Sequence, residues 1–357
     1  MRYLVFSKKI ISESRVNQSS IFQSSSSVLV IKLRAIGDVL LSTPLVENLK
    51  KQFPHLKIDF LCEQFASDVI RGNPWVNEVI TFNKKEESGI ALIQKVRNKK
   101  YDVVIDLFGN PRTALLTRLS GAKHRIGFPF RGREYAYNIR ITPRGGEVHN
   151  VDFNLDVLRG FSLPIEASDP YFALSENDTL FAERWLKSNK LFGAKIVGIN
   201  PSGGWYTKRW EIKNYAELAD RLADSVKAHI LLFWGPGEFD DVHKIQSLMN
   251  RQSSIIPATS LKQMGALLSQ CSYLVSNDSG PMHIAASLGV PTLGLFGPTN
   301  PHLQGPYGKK NSWVRHEELD CLACNLTECP IGNVCMKDLS VDIVFNAFQK
   351  LVQKNSH

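Results

Sequence analysis

Short apolar runs recur along the chain, closed by glycine or polar turn residues. Longer stretches with apolar positions three and four apart lie between them. Val28–Leu33, Ile58–Leu61, Val79–Phe82 and Val103–Leu107 predict buried strands, and Val39–Phe53, Ile90–Lys99 and Arg112–Leu119 predict helices. Such alternation implies a parallel sheet with helices on both faces. A polar, proline-bearing stretch at Leu163–Pro170 predicts a linker, after which the pattern restarts. Helices Glu176–Ser188, Tyr215–Val226 and Leu261–Ser269 then alternate with strands Ile196–Ile199, Ile230–Trp234 and Tyr273–Val275. The expectation is an α/β chain of two Rossmann-like, doubly wound domains in tandem. Their strand ends would face a central cleft, where such sheets bind ligands. Residues 1–27 read as a frayed polar extension, 28–165 as the first domain and 166–340 as the second. A closing helix near Val341–Val352, within 341–357, is expected to pack back on the first domain.

The most informative turn lies in SYLVSNDSGPMHIAASLGVPTLGLFGP, residues 272–298. The strand delivers Asn277 and Asp278, and Ser279-Gly280-Pro281 opens a short helix, with proline where its missing N–H has no partner to lose. Gly289 ends the helix before the buried run Val290–Phe296. Unpaired N–H groups and a positive dipole end suit a phosphate there, with Asp278 and Ser279 placed for sugar hydroxyls. An ordinary turn whose aspartate caps the helix explains the same residues.

Two other turns carry chemistry. Gly37-Asp38 follows the opening strand, so the Asp38 carboxylate reads either as a general base facing the cleft or as a helix cap. The strand Ile196–Ile199 runs into NPSGGWYTKRW, where Gly203 and Gly204 let the backbone approach an anion and Lys208 and Arg209 offset its charge. It is not a Walker A loop, and Gly235-Pro-Gly-Glu238 does not continue as a dinucleotide fingerprint. Glu238 reads as a ribose ligand or a solvated loop carboxylate.

At 357 residues with 43% hydrophobic content, the chain has the length and composition of two globular domains. No apolar stretch reaches the ~18 residues of a membrane span, and no secretory signal is evident, so a cytoplasmic protein is expected. The net charge of +9 favours acidic partners. The basic residues are dispersed and no nucleic-acid-binding module is recognisable, which leaves an anionic membrane surface or a phosphorylated substrate, and no nucleic acid is expected.

The segments IKLRAIGDVLLSTPL, YDVVIDLFGNPRTALLTRLSGAKHRIGF, NPSGGWYTKRWEIKNYAELADRL and SNDSGPMHIAASLGVPTLGLFGPTNP together resemble the heptosyltransferases of glycosyltransferase family 9, nearer the heptosyltransferase II branch. The resemblance implies a GT-B fold and inverting transfer of L-glycero-D-manno-heptose from ADP-heptose to the lipopolysaccharide inner core, peripheral to the inner membrane. It assigns Asp38 as base, Lys208 to the donor pyrophosphate, Asp278 to the donor sugar, and Ser279 and Gly280 to the phosphate-binding helix start. It also assigns His283 to the same donor site and Glu238 to the nucleoside. His283 reads equally as a packed histidine bonding a carbonyl. Where the family often carries Ser or Thr, four residues before the lysine, this chain has Gly204; backbone N–H groups or Ser202 are the available substitutes. A second enzyme reading keeps the fold with another nucleotide sugar or an epimerase reaction, and a third is a non-catalytic relative.

Glycosyl transfer through an oxocarbenium-like state requires neutralisation of a leaving diphosphate. The chain has no Asp-x-Asp pair, so Lys208 and the Gly280 helix start are expected to serve without a metal, and no cofactor is required for catalysis. Cys62 and Cys271 read as reduced core residues, whereas Cys321, Cys324, Cys329 and Cys335 form C-x2-C-x4-C-x5-C, a candidate structural zinc site, with an iron–sulfur cluster, reduced thiols or a disulfide as the alternatives. Arg112, Lys123, His124, Arg125, Arg131, Arg133 and Arg144 suggest a positive face for a phosphorylated acceptor.

Overall fold

The computed structural model describes residues 20–356, so residues 1–19 of the expected extension and His357 lie outside the described residues. The first sheet contains β1 (Ser27–Ile31), β2 (Lys57–Glu63), β3 (Glu78–Phe82), β4 (Val103–Asp106), β5 (His124–Gly127) and β6 (Ile139–Arg140), in the order β3-β2-β1-β4-β5-β6. The second contains β7 (Ile196–Asn200), β8 (His229–Leu232), β9 (Ser253–Ile255), β10 (Tyr273–Asn277), β11 (Thr292–Phe296) and β12 (Ser312–Arg315), ordered β12-β11-β10-β7-β8-β9. Neighbouring strands pair in parallel throughout. Both orders reverse between the first and fourth strand of the sheet, which opens a crevice at β1/β4 and another at β7/β10. β1, β4, β7, β10 and β11 consist largely or wholly of buried residues, which explains why they were legible as continuous apolar runs.

Several expectations are corrected. The expected Val39–Phe53 helix is two helices, Ile36–Leu40 and Thr43–Gln52, with Pro44 opening the second. The end of the polar extension is not frayed: Ser20–Ser24 is helical, and fully buried Phe22 packs on Phe53 and Phe161 at ring distances of 5.5 and 5.1 Å. The closing helix, Val341–Lys354, lies on the second domain rather than the first. Val344, Phe348 and Leu351 join an apolar cluster drawn entirely from residue 197 onward. Its amphipathic face matches the outer face of the β10–β12 half of the second sheet, and Arg221 fixes its start by pairing with Asp342 at 2.8 Å.

The linker is buttoned to the first domain. The Asn48 side chain accepts from Glu166 and Ala167 N–H at 2.7 and 3.2 Å and donates to the Ala167 carbonyl at 2.6 Å. A single apolar cluster runs from β1 and its flanking helices across to Ile284, Ala285 and Leu267 of the second domain, so the two domains share a core at the base of the cleft. The opposite face of the first sheet has its own cluster beneath the helices Gly89–Asn98 and Pro111–Leu119. Among the described residues no helix is long and apolar enough to cross a membrane.

Candidate active site

Asp38 occupies the third position of the Ile36–Leu40 helix, so it is not the capping residue itself. Its Oδ2 accepts the Ala35 N–H at 3.1 Å, while Oδ1 receives a longer contact from Asn150 Nδ2 at 3.4 Å. The helix start thus holds one carboxylate oxygen, and the other receives only the longer Asn150 contact among the described residues. Lys32, at the end of β1, stands in the fields of Asp38 and Asp106. Burial lowers its pKa while both carboxylates oppose that shift, and its Nζ donates to the Leu107 carbonyl at 3.2 Å.

The second domain presents its residues at the β7/β10 crevice. Lys208 Nζ pairs with Asp278 Oδ2 at 2.7 Å and lies 4.6 Å from the Trp205 ring centroid. Thr299 Oγ1 donates to the same carboxylate oxygen at 2.7 Å. Asn200 Nδ2 donates to Ser276 and Ser279 Oγ, both at 2.9 Å, and so orients the serine that opens the Gly280–Ser287 helix. Three buried polar atoms here lack a hydrogen-bond partner among the described residues: Asn200 Oδ1, Ser202 Oγ and His283 Nδ1. Unpaired buried groups are costly, and their grouping around a helix start suits a polar ligand. A Cβ on exposed Gly204 would meet nothing within 4 Å among the described residues, whereas Ser202 brings a hydroxyl into the site.

Glu238 lies behind this loop. Its Oε2 accepts the Gly235 N–H at 3.1 Å and Oε1 pairs with Arg209 Nη2 at 3.2 Å. Arg209 also donates from Nε to the Gly203 carbonyl at 3.0 Å, so one guanidinium ties the glycine loop to Glu238.

The two half-sites touch. A Cβ on Gly37 would stand 3.0 Å from His283 Nε2 and closer still to Cδ2, and a Cβ on Gly280 would stand 2.7 Å from Ile36 Cγ2. The absence of side chains at both glycines lets the helix carrying Asp38 rest against the helix that opens at Ser279. His283 is 6% exposed, and burial lowers its pKa to about 4 although Asp278 and Asp38 pull the other way. It is neutral at pH 7. His149 adds a second bridge between domains through Nε2, 2.9 Å from the Gly305 carbonyl, with Nδ1 accepting the Val151 N–H at 3.2 Å. That pair of contacts fixes the tautomer with its proton on Nε2.

A family model described as glycosyltransferase family 9 (heptosyltransferase) matches residues 90–335. The chain belongs to this family. Lipopolysaccharide core heptosyltransferase OpsX of Haemophilus influenzae is 27% identical over 308 residues, covering 82% of this chain and 85% of that one. A family 9 glycosyltransferase from Veillonella parvula superposes with a TM-score of 0.82 at 25% identity, covering 92% of this chain and 98% of that one. The ADP-heptose lipopolysaccharide heptosyltransferase II of E. coli superposes with a TM-score of 0.74 at 24% identity, covering 93% and 100%. The two-sheet architecture is therefore the GT-B fold, and the protein is a glycosyltransferase.

The first domain thus presents a carboxylate at this junction and the second a cation and a helix N-terminus, groups that can accept a proton and offset a negative charge. Asp38, Ser202, Gly203, Gly204, Lys208, Asp278, Ser279, Gly280 and His283 belong to the two half-sites that meet here, and Glu238 joins through Arg209. Sequence reading missed Thr299, Asn200, Asn150 and the bridging role of Arg209. Thr299 and Asn200 sit inside the quoted motifs, whereas nothing local marks Asn150, 112 residues from Asp38.

The expected positive acceptor face divides. Arg112 lies over the Phe82 ring, Arg125 donates to the Ala136 and Ala122 carbonyls, and Arg144 pairs with Asp156. Lys123, His124 and Arg125 enter β5 at the level of Val103 and Val28, the strand ends remote from Asp38. Arg131 and Arg133 follow the other end of β5, and Arg133 Nε is buried without a partner among the described residues. Cys321 and Cys324 are exposed, Cys329 is half-buried and Cys335 buried. Burial pushes the Cys335 thiol up to about 11, and Cys321, Cys324 and Cys329 stand near enough to add to that shift, so the four thiols gather in one place; among the described residues no group of three or more His, Cys, Asp or Glu is placed to hold a metal. Their loop also braces the site: Thr207 Oγ1 donates to the Leu326 carbonyl at 2.8 Å, and Asn325 N–H to the Pro298 carbonyl at 2.7 Å.

Proposed function

We propose that the protein transfers L-glycero-D-manno-heptose from ADP-heptose to the inner core of lipopolysaccharide, with inversion, at the cytoplasmic, anionic surface of the inner membrane. The single observation that carries this reading is the contact of the two helix starts, Gly37 on His283 and Gly280 on Ile36. It sets the Asp38 carboxylate against a site lined by unpartnered polar atoms and a lysine. In this reading Asp38 takes the proton of the acceptor hydroxyl as that oxygen attacks the anomeric carbon. The diphosphate leaves toward Lys208 and the N–H groups at Gly280, which meet its growing charge without bringing in water. Asp278, held by Thr299, orients sugar hydroxyls, and Glu238 faces the ribose. The relatives named for heptose transfer and ADP-heptose support the choice of donor.

The test is mass spectrometry of a lipid-free inner-core acceptor incubated with ADP-heptose. The expected product is the acceptor plus one heptose, and Asp38→Asn should lower kcat by ~10²–10⁴-fold with little change in donor affinity. Conversion of the sugar nucleotide in the absence of acceptor, or transfer undiminished in Asp38→Asn, overturns the assignment.

A further inference from the structure

Residues 84–140 carry thirteen Lys and Arg against five Asp and Glu, so this stretch of the first domain holds a net +8 of the chain's +9. Much of it forms the outer layer of that domain, the adjoining helices Gly89–Asn98 and Pro111–Leu119 and the turn Glu134–Ala136 beside the latter. This layer covers the face of the first sheet turned away from the core shared with the second domain. It is studded with large apolar side chains in solvent: Ile90 at 70% exposure, Leu115 at 45%, Leu119 at 38% and Tyr135 at 53%. Leu115 and Leu119 are one turn apart on the same helix face, with Arg118 exposed between them. Lys95, Arg97, Lys100, Arg118 and Lys123 are all exposed, and none forms an ion pair with another of the described residues.

We infer that this layer is the surface by which the protein docks on a bilayer of anionic phospholipid. Unpaired cations interleaved with protruding leucine, isoleucine and tyrosine match the headgroup boundary, where cations meet phosphates and apolar side chains enter the acyl edge. A soluble acidic partner would use the charges but leave the apolar side chains without a destination. Both helices run from the strand ends that border the cleft, Gly89 after β3 and Pro111 after β4, toward the opposite ends, where Lys100, Arg118 and Lys123 stand. A bilayer lying along this layer would extend from that end to the mouth that contains Asp38. The inference rests on the membrane-surface reading above and adds the face that serves it.

Co-sedimentation with phosphatidylglycerol vesicles, against phosphatidylcholine vesicles, tests it on the full chain. The protein should partition onto the former, lose most of that binding in high salt, and ignore the latter. Arg97→Glu with Arg118→Glu should weaken partitioning by about 25-fold or more, at roughly fivefold per cation lost. Leu115→Ser with Leu119→Ser should weaken it severalfold without altering the salt dependence. Both pairs lie outside the cleft, so turnover on the lipid-free acceptor and thermal unfolding should match the parent. Equal binding to both vesicle types, wild-type partitioning by the variants, or binding to single-stranded nucleic acid without vesicle binding would each overturn the inference. Because the readout is binding, it stands or falls separately from heptose transfer.

Discussion

Gly37→Ala tests the contact between the half-sites directly. The added methyl would intrude on the His283 ring, 3.0 Å from Nε2 and nearer Cδ2, in a place where both backbones are helical and the surroundings are core. Overpacking of this kind costs about 1–3 kcal/mol. Replacing a helical glycine with alanine returns up to about 1 kcal/mol, so a net loss of roughly 1–2 kcal/mol is expected. The larger effect falls on catalysis. The next residue is Asp38, and relief of the clash moves its helix away from the donor helix; misplacement by ~1 Å costs on the order of 10²-fold in kcat. The assay pairs urea unfolding with single-turnover transfer for the parent, Gly37→Ala, His283→Ala and the double variant. Removing the imidazole gives the methyl room, so the double variant should be more stable than the sum of the single losses predicts, by at least ~1 kcal/mol. Strict additivity, or a Gly37→Ala enzyme with parental kcat, would refute the idea that this glycine brings base and donor site together.

Other expectations follow from the same geometry. Lys208→Met strands the nearly buried Asp278 carboxylate with Thr299 alone, so a stability loss of about 3 kcal/mol is expected, together with a rise in the Kd for ADP by calorimetry. Because His283 is neutral in the fold with a pKa near 4, against 6.5 when unfolded, the unfolded chain takes up a proton that the folded one refuses as pH falls through that window. Stability should therefore drop on acidification, by about 2 kcal/mol at pH 5 from this group, and flatten below pH 4; the difference between parent and His283→Gln unfolding curves isolates it. Thiol titration at neutral pH should modify exposed Cys321 and Cys324 quickly. Buried Cys62, its thiol pushed up to about 12 by desolvation, should react only on unfolding, as should Cys271.

The central strands and the turns after them were readable because each is a buried apolar run ending in glycine or a short polar residue. β5, β6, β9 and β12 were not. They are two to four residues long and mostly half-exposed, so no run of apolar residues marks them. Pro44 was visible, yet the apolar period continues through it, and only the tertiary fold shows the helix restarting there. The amphipathic pattern of the closing helix is plain in the sequence, but its partner is set by the apolar cluster it completes with Leu222, Tyr273 and Leu293, residues far from it along the chain. The same limit applies to Asn150: a contact between distant segments leaves no periodic trace. Charge misled in a different way. Six Lys and Arg residues, together with His124 whose pKa burial lowers, lie close in sequence, yet the parallel strands send some to the cleft end of the sheet and others to the opposite end.

The arrangement of Lys208 also constrains how the donor enters. Its ammonium already has a carboxylate partner 2.7 Å away, and that carboxylate has Thr299. A diphosphate that recruits Lys208 must therefore weaken the pair, and Asp278 must find replacement donors at that moment. The hydroxyls of the transferred sugar are suited to that exchange, because each can donate where the ammonium did. A diphosphate without its sugar pulls the lysine away and offers Asp278 nothing, whereas the intact nucleotide sugar compensates both groups together. The site therefore discriminates by coupling its two charges: an ADP-sugar should bind more tightly than ADP in the parent, and the advantage should shrink in Asp278→Asn, whose amide no longer needs the exchanged protons. An unchanged ratio of ADP to ADP-heptose affinities in that variant would show that the pair does not link phosphate to sugar recognition.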